Sequence, residues 1–212
     1  MKRRLSFIFF AMLPLAAVTV AAPPPPPPGA PVVPAAALEI ISTDQARVEL
    51  ARVLSYAKRY DEALAEYRTV VVARPADTAL RAEYGQVLGW AGRHAEAVAA
   101  LSAVPAADLS PDAAVLLADL ILGDKKFAEA AVLYRRGLAA KPADALTRFK
   151  LARVLSWEKH YDDSLVEYRT LLAAAPDDLQ VRRHYAQTLG WAGRLEDAAA
   201  EWRRTLPAEA TP

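Results

Sequence analysis

The sequence predicts an all-α protein: an α-solenoid of five helix-turn-helix repeats, standing behind an apolar leader and a proline-rich spacer. Three observations predict it. Displaced by 101 positions, LARVLSYAKRYDEALAEYRT (50–69) lies on LARVLSWEKHYDDSLVEYRT (151–170), and LGWAGR at 88–93 lies on LGWAGR at 189–194. Inside that long period runs a short one, because Ala63, Ala97, Ala130, Ser164 and Ala198 fall 34, 33, 34 and 34 residues apart. Each of these small residues has a larger one three positions before it (Tyr60, His94, Phe127, Tyr161, Leu195) and another four after it (Tyr67, Leu101, Tyr134, Tyr168, Trp202). That spacing is one face of a helix.

The leader comes first. MKRR followed by LSFIFFAMLPLAAVTVAA has a basic end, an apolar run and a small-residue close, the pattern of a secretory signal peptide. Thr19 and Ala21 suit the −3 and −1 positions of cleavage, so residues 1–21 are assigned as a signal peptide and the chain is expected in a periplasm. The alternative is an uncleaved inner-membrane anchor facing the periplasm, since Leu5 to Ala22 is 18 mostly apolar residues, at the lower edge of a bilayer span. Residues 22–43 read as a disordered Pro/Ala-rich linker. Within it the eight prolines of APPPPPPGAPVVPAA (22–36) lack the backbone donor and fix their own torsions, and in extended form the stretch would reach on the order of 45 Å at ~3.1 Å per residue.

The repeats follow. Upstream of each small-residue face lies another helical face: Leu50-Ala51-Leu54, Tyr84-Gly85-Leu88, Leu117-Ala118-Ile121, Leu151-Ala152-Leu155 and Tyr185-Ala186-Leu189. Each unit is therefore two helices. Ala51, Gly85 and Ala63 are expected where the two approach most closely. LGWAGR is then the end of a first helix and the turn into the second, with Gly92 and Gly193 in the left-handed conformation that closes a helix. Ser110 and Pro111 supply an N-cap and a first-turn proline, while Asp61-Glu62 and Asp162-Asp163 place negative charge at the start of second helices. A hairpin of roughly 34 residues buries too little apolar surface to offset its chain entropy, so the units are expected to be stable only in a row.

Large and small residues at the seventh and eighth positions, a large one at the eleventh, a small one at the twentieth, an aromatic at the twenty-fourth, and Pro75, Pro142 and Pro176 at the thirty-second: together these resemble the tetratricopeptide repeat. The resemblance spans 44–212 as units 44–77, 78–110, 111–144, 145–178 and 179–212, and it implies a right-handed superhelix. The chain departs from the family at the fourth position, where the usual aromatic is Arg47, Arg81, Arg148 or Arg182, and Ala114 in the third unit. Aromatics appear instead near the ends of first helices, at Tyr56, Trp90, Trp157 and Trp191, where packing between helices is expected.

If the chain follows the family, positions two, five, nine and twelve of each unit line a concave groove. Its candidate partner-binding residues are Arg52, Ser55, Gln86, Asp119, Phe149, Arg153, Arg183 and Gln187. Arg52 and Arg153 are equivalents across the duplication, as are Gln86 and Gln187. A guanidinium fork and an amide suit an extended protein or peptide partner, with an acidic polysaccharide as the second ligand class. The clamp by which some family members grip a C-terminal carboxylate is not supported, because Val48 stands where it needs a basic or amide residue.

Composition excludes several functions. The chain has no cysteine, hence no disulfide, thiolate chemistry or lipid attachment. Its 26 basic and 25 acidic residues become 23 and 25 without Lys2, Arg3 and Arg4, a net charge of −2 that draws no nucleic acid. His94, His160 and His184 fall in different units, and there is no phosphate-binding loop, so no cofactor, metal or catalysis is expected. The expectation is a non-enzymatic exported scaffold. Its wording LARVLSW…YDDSLVEYRTLL…LGWAGR resembles the periplasmic repeat segments that precede outer-membrane β-barrels in biofilm and exopolysaccharide-export proteins, and the absence of strands after residue 206 suggests a free-standing version. Trp202 and Leu206 near the end lead to the expectation of self-association through the last repeat.

Overall fold

The computed structural model describes residues 41–207, so the signal peptide and nearly all of the linker lie outside the described residues. Among the described residues ten α-helices follow one another: α1 (Thr43–Tyr56), α2 (Tyr60–Ala73), α3 (Thr78–Trp90), α4 (His94–Ser102), α5 (Pro111–Ile121), α6 (Phe127–Ala140), α7 (Ala145–Trp157), α8 (Tyr161–Ala174), α9 (Leu179–Trp191) and α10 (Leu195–Arg203). No strand occurs among the described residues. Odd and even helices pair as hairpins, and each even helix packs against the odd helix after it.

Side chains set the helix starts. Ser42 and Gln45 form a reciprocal capping box that begins α1 at Thr43. Asp77, Asp144 and Asp178 cap α3, α7 and α9, and Ser110 caps α5 with Pro111 in its first turn. Gly92 and Gly193 take φ of 76° and 77° at the turns, and Lys58, Lys125 and Lys159 occupy the same left-handed place in the other three units.

The small-residue period is buried at every unit: Ala63, Ala97, Ala130, Ser164 and Ala198 all lie in the core. Ser164 meets that burial by donating its hydroxyl to the Ala152 carbonyl at 2.7 Å. Tyr67, Leu101, Tyr134 and Tyr168 are buried too, but Trp202 is 41% exposed because no described hairpin follows to cover it. At Gly85 a Cβ would stand 2.7 Å from both Cδ2 and Cγ of Leu101, which explains why this close approach of α3 and α4 carries no side chain.

The arginines that replace the family's aromatic have a defined task. Arg47, Arg148 and Arg182 pair with Glu66, Glu167 and Glu201, each 19 residues on, and so join the two helices of their own unit. Arg81, Arg148 and Arg182 also donate to the carbonyls of Pro75, Pro142 and Pro176, fastening each unit to the turn before it. A planar guanidinium with five donors can do both at once, which a ring cannot.

Candidate functional site

A cleft of about 240 Å³ opens between α1 and α3 above Tyr67 of α2, with Arg52, Ser55 and Tyr56 on one wall and Glu83, Gln86, Val87 and Trp90 on the other. A second, of about 190 Å³, opens between α7 and α9 above Tyr168 of α8, walled by Arg153, Ser156 and Trp157 and by His184, Gln187, Thr188 and Trp191. Every residue of the second cleft stands 101 positions after its counterpart in the first. The duplication in the sequence is thus a duplication of a cleft.

Helix geometry makes this so. Residues at i, i+3 and i+4 share a face, so Arg52, Ser55 and Tyr56 rise along one side of α1 and their counterparts along α7. The floor tyrosines are core residues of second helices whose phenol ends reach the cleft; Tyr67 donates to Glu83 Oε2 at 3.1 Å. Burial, reinforced by Glu83, pushes the Tyr67 phenol well above its ordinary range, and burial raises Tyr168 likewise, so both are neutral donors at any ordinary pH.

The two clefts differ in charge. In the first, Arg52 is neutralised on two sides: Nε and Nη2 donate to Glu83 at 2.9 and 2.7 Å, and Nη1 donates to Glu49 at 2.5 Å. Glu83 holds that guanidinium protonated even more firmly than usual. In the second, Lys150 stands in place of Glu49 and His184 in place of Glu83. Arg153 accordingly has no carboxylate partner among the described residues, and its guanidinium carbon lies 4.7 Å from the Trp157 ring centroid and 5.9 Å from that of Phe149. His184 stands 5.1 Å from Phe149, edge to face, and 6.5 Å from Tyr168, nearly parallel. Burial, and after it the Arg153 charge, holds its imidazole below the usual histidine range.

Of the residues expected to line a groove, Arg52, Ser55 and Gln86 come together in the first cleft and Arg153 and Gln187 in the second, with Phe149 packed beneath Arg153. Ser55 is buried and gives its hydroxyl to the Ala51 carbonyl at 2.7 Å. Gln86 Nε2 reaches Ser110 Oγ only at 3.5 Å. Asp119 stands between the clefts and is engaged by the Tyr134 hydroxyl at 2.6 Å and by Lys150 Nζ at 2.7 Å. Arg183 is exposed and lines neither cleft.

The aromatics expected to pack between helices stand at the cleft rims instead. Tyr56, Trp90, Trp157 and Trp191 are 81%, 50%, 38% and 47% exposed, and among the described residues only Trp157 of these finds an aromatic neighbour, Phe127 at 5.2 Å. Sequence reasoning gave Glu83 no role and His184 none in any site. The signal that finds them is the 101-residue displacement itself, applied to the residues facing each arginine.

Comparison with known proteins agrees with this architecture. The profile described as Tetratricopeptide repeat matches residues 54–120 and 122–183. The chain belongs to the tetratricopeptide repeat family. No curated protein matches it in sequence. Among solved structures, this tetratricopeptide repeat array is similar to the MamA protein, with a TM-score of 0.61 at 16% identity over 77% of this chain and 90% of that one. It is similar to YrrB, described as a TPR protein with an unusual peptide-binding site, with a TM-score of 0.67 at 17% identity over 75% and 82% of the two chains. At these identities the likeness is one of fold. Tetratricopeptide repeats serve as protein-interaction scaffolds, and the array here carries its two clefts on the face built by first helices.

Proposed function

We propose that the chain is an exported tetratricopeptide repeat adaptor that holds an extended segment of a partner protein across its first-helix face, within a bacterial envelope assembly. One observation carries the reading: the same eight cleft positions recur 101 residues apart, so a segment lying along this face meets the same kind of wall twice. Rigid aromatic rims and an arginine fork are the groups that give most binding free energy for least lost rotamer freedom. YrrB, whose fold the chain shares, is described as having a peptide-binding site, which supports a peptide as the occupant. The envelope setting rests on the leader at 1–21 and on the likeness of wording to periplasmic repeat segments of biofilm and exopolysaccharide-export proteins.

Photo-crosslinking in the cell of origin tests this. A photoreactive side chain at Gln86 or Gln187 should capture the same protein, and one at the exposed Arg68 or Arg169 of the second helices should not. Intact mass should show the chain shortened by its first 21 residues. Equal capture from both faces would remove the groove reading, and a retained leader would move the chain to the membrane surface.

A further inference from the structure

We infer that the cleft between α7 and α9 is a carboxylate-binding subsite, taking an acidic side chain of the bound peptide, and that the cleft between α1 and α3 is not. The inference rests on the reading of the first-helix face as a peptide groove. The two copies of the cleft differ at the two positions that set the charge around its arginine. Glu49 and Glu83 both pair with Arg52, at 2.5 and 2.7 Å, and engage each of its three nitrogens. Their equivalents, Lys150 and His184, offer Arg153 no acceptor carboxylate, and Lys150 is itself turned to Asp119 at 2.7 Å.

Arg153 is nevertheless held in place. Its guanidinium lies against Trp157 and Phe149, so the side chain is oriented while its N–H edge is left without an acceptor. A stacked, oriented arginine pays little entropy on pairing with a carboxylate, which accepts two parallel hydrogen bonds from the fork. The neighbouring polar group is the Gln187 amide, whose donor and acceptor match a peptide unit.

The hydroxyls decide between a peptide and a glycan. Ser156 donates to the Arg153 carbonyl at 2.7 Å and Thr188 to the His184 carbonyl at 2.9 Å, so both hydroxyl protons are spent inside their own helices. Besides the Tyr168 hydroxyl in its floor and the His184 imidazole in its wall, the cleft offers one guanidinium and one amide, a set that suits a carboxylate beside a main-chain amide. It gives little to the several hydroxyls of a uronic acid ring, whose desolvation would go uncompensated.

The four tryptophans allow a direct test, because each gives one indole N–H signal in a nitrogen-15 spectrum of the full chain. The probe is the capped peptide Ser-Gly-Glu-Ser-Gly, compared with its Gln counterpart and with oligogalacturonate. The Glu peptide should move the signals of Trp157 and Trp191 and leave those of Trp90 and Trp202. The Gln peptide should bind roughly tenfold more weakly, about 1.4 kcal/mol. Arg153→Gln should abolish the response, and so should His184→Glu, which gives Arg153 the internal partner that Arg52 has. The reverse exchange, Glu49→Lys with Glu83→His, should make Trp90 respond. Unchanged Trp90 and Trp202 signals in the Arg153→Gln and His184→Glu variants report that the fold is kept, and those two variants decide the matter if the reverse exchange does not fold. Equal binding of the Glu and Gln peptides, an unaltered response in His184→Glu, or oligogalacturonate acting at lower concentration than the peptide would each overturn the inference. If crosslinking still maps a partner to Gln86 and Gln187, only the carboxylate assignment fails and the groove reading stands.

Discussion

Arg182 of α9 and Glu201 of α10 face each other at 2.7 Å with side chains only 15% and 14% exposed, while Arg182 also holds the Pro176 carbonyl. Removing Arg182 takes the inner partner from a mostly buried carboxylate and leaves Glu201 only the exposed Arg204, at 2.7 Å. Arg182→Ala is therefore expected to lower stability by about 2 kcal/mol, below the full cost for a deeply buried pair. The same pair in the first unit, Arg47 with Glu66, is 41% and 26% exposed, and Arg47→Ala should cost less than ~1 kcal/mol. Denaturant unfolding of the two variants gives the order, and amide exchange should show the Arg182→Ala loss concentrated in α9 and α10. Equal losses would mean that burial does not set the strength of these pairs.

Gly85 and Gly190 are both helical, yet they should answer alanine in opposite directions. A Cβ at Gly85 would lie 2.7 Å from Cγ and Cδ2 of the fully buried Leu101, so α3 and α4 must separate. Overpacking of this kind costs about 1–3 kcal/mol. Nothing lies within 4 Å of a Cβ at Gly190, so Gly190→Ala removes only backbone freedom and should add up to ~1 kcal/mol. Melting curves of the two variants that moved the same way would refute the packing account.

These contrasts show how far the sequence could be read. Burial in a solenoid is periodic, and the Ala63 to Ala198 series repeats five times, so chance agreement is quickly excluded and the fold is legible. The clefts were half legible. Position counting found Arg52 and Arg153 but treated them as alike, because it sees one helix at a time. What separates them is a residue 31 positions on, Glu83 or His184, delivered by the next hairpin. The tryptophans were misplaced for a related reason. Recurrence at a fixed position looks like core, but these residues end their helices, where Trp90 and Trp191 stay about half exposed and only Trp157, against Phe127 of the preceding hairpin, is more covered.

The turns offer a reciprocal exchange. Lys159 holds φ of 64° at the place where Gly193 holds 77° in the next unit. A side chain in the left-handed region costs about 1–2 kcal/mol against glycine, partly returned by the smaller entropy of the unfolded chain. Lys159→Gly should thus stabilise by about 0.5–1 kcal/mol, and Gly193→Ala should destabilise by a similar amount even though a Cβ there touches nothing. Urea midpoints measured at constant slope would decide it, with a stabilising Gly193→Ala as the contrary result.

His184 predicts a pH dependence. Burial first and Arg153 second disfavour the imidazolium in the folded chain, so the native pKa lies below the unfolded value of ~6.5. The charged and titratable groups facing it are Arg153 from α7, permanently cationic, and Tyr168 from α8, neutral throughout this window. Above ~6.5 both states hold a neutral ring and the folded chain keeps its full stability. As pH falls below that value the unfolded chain takes up the proton more readily, and stability declines until the native pKa is passed. His184→Gln cannot take a proton and should flatten this decline below about pH 6.5. Protonation also places a second cation beside Arg153, so the Glu peptide should bind the wild-type cleft more tightly at the acid end and the His184→Gln cleft with no such gain. Melting temperatures and indole titrations across this range, in wild type and variant, measure both effects; parallel curves for the two proteins would remove His184 as their source.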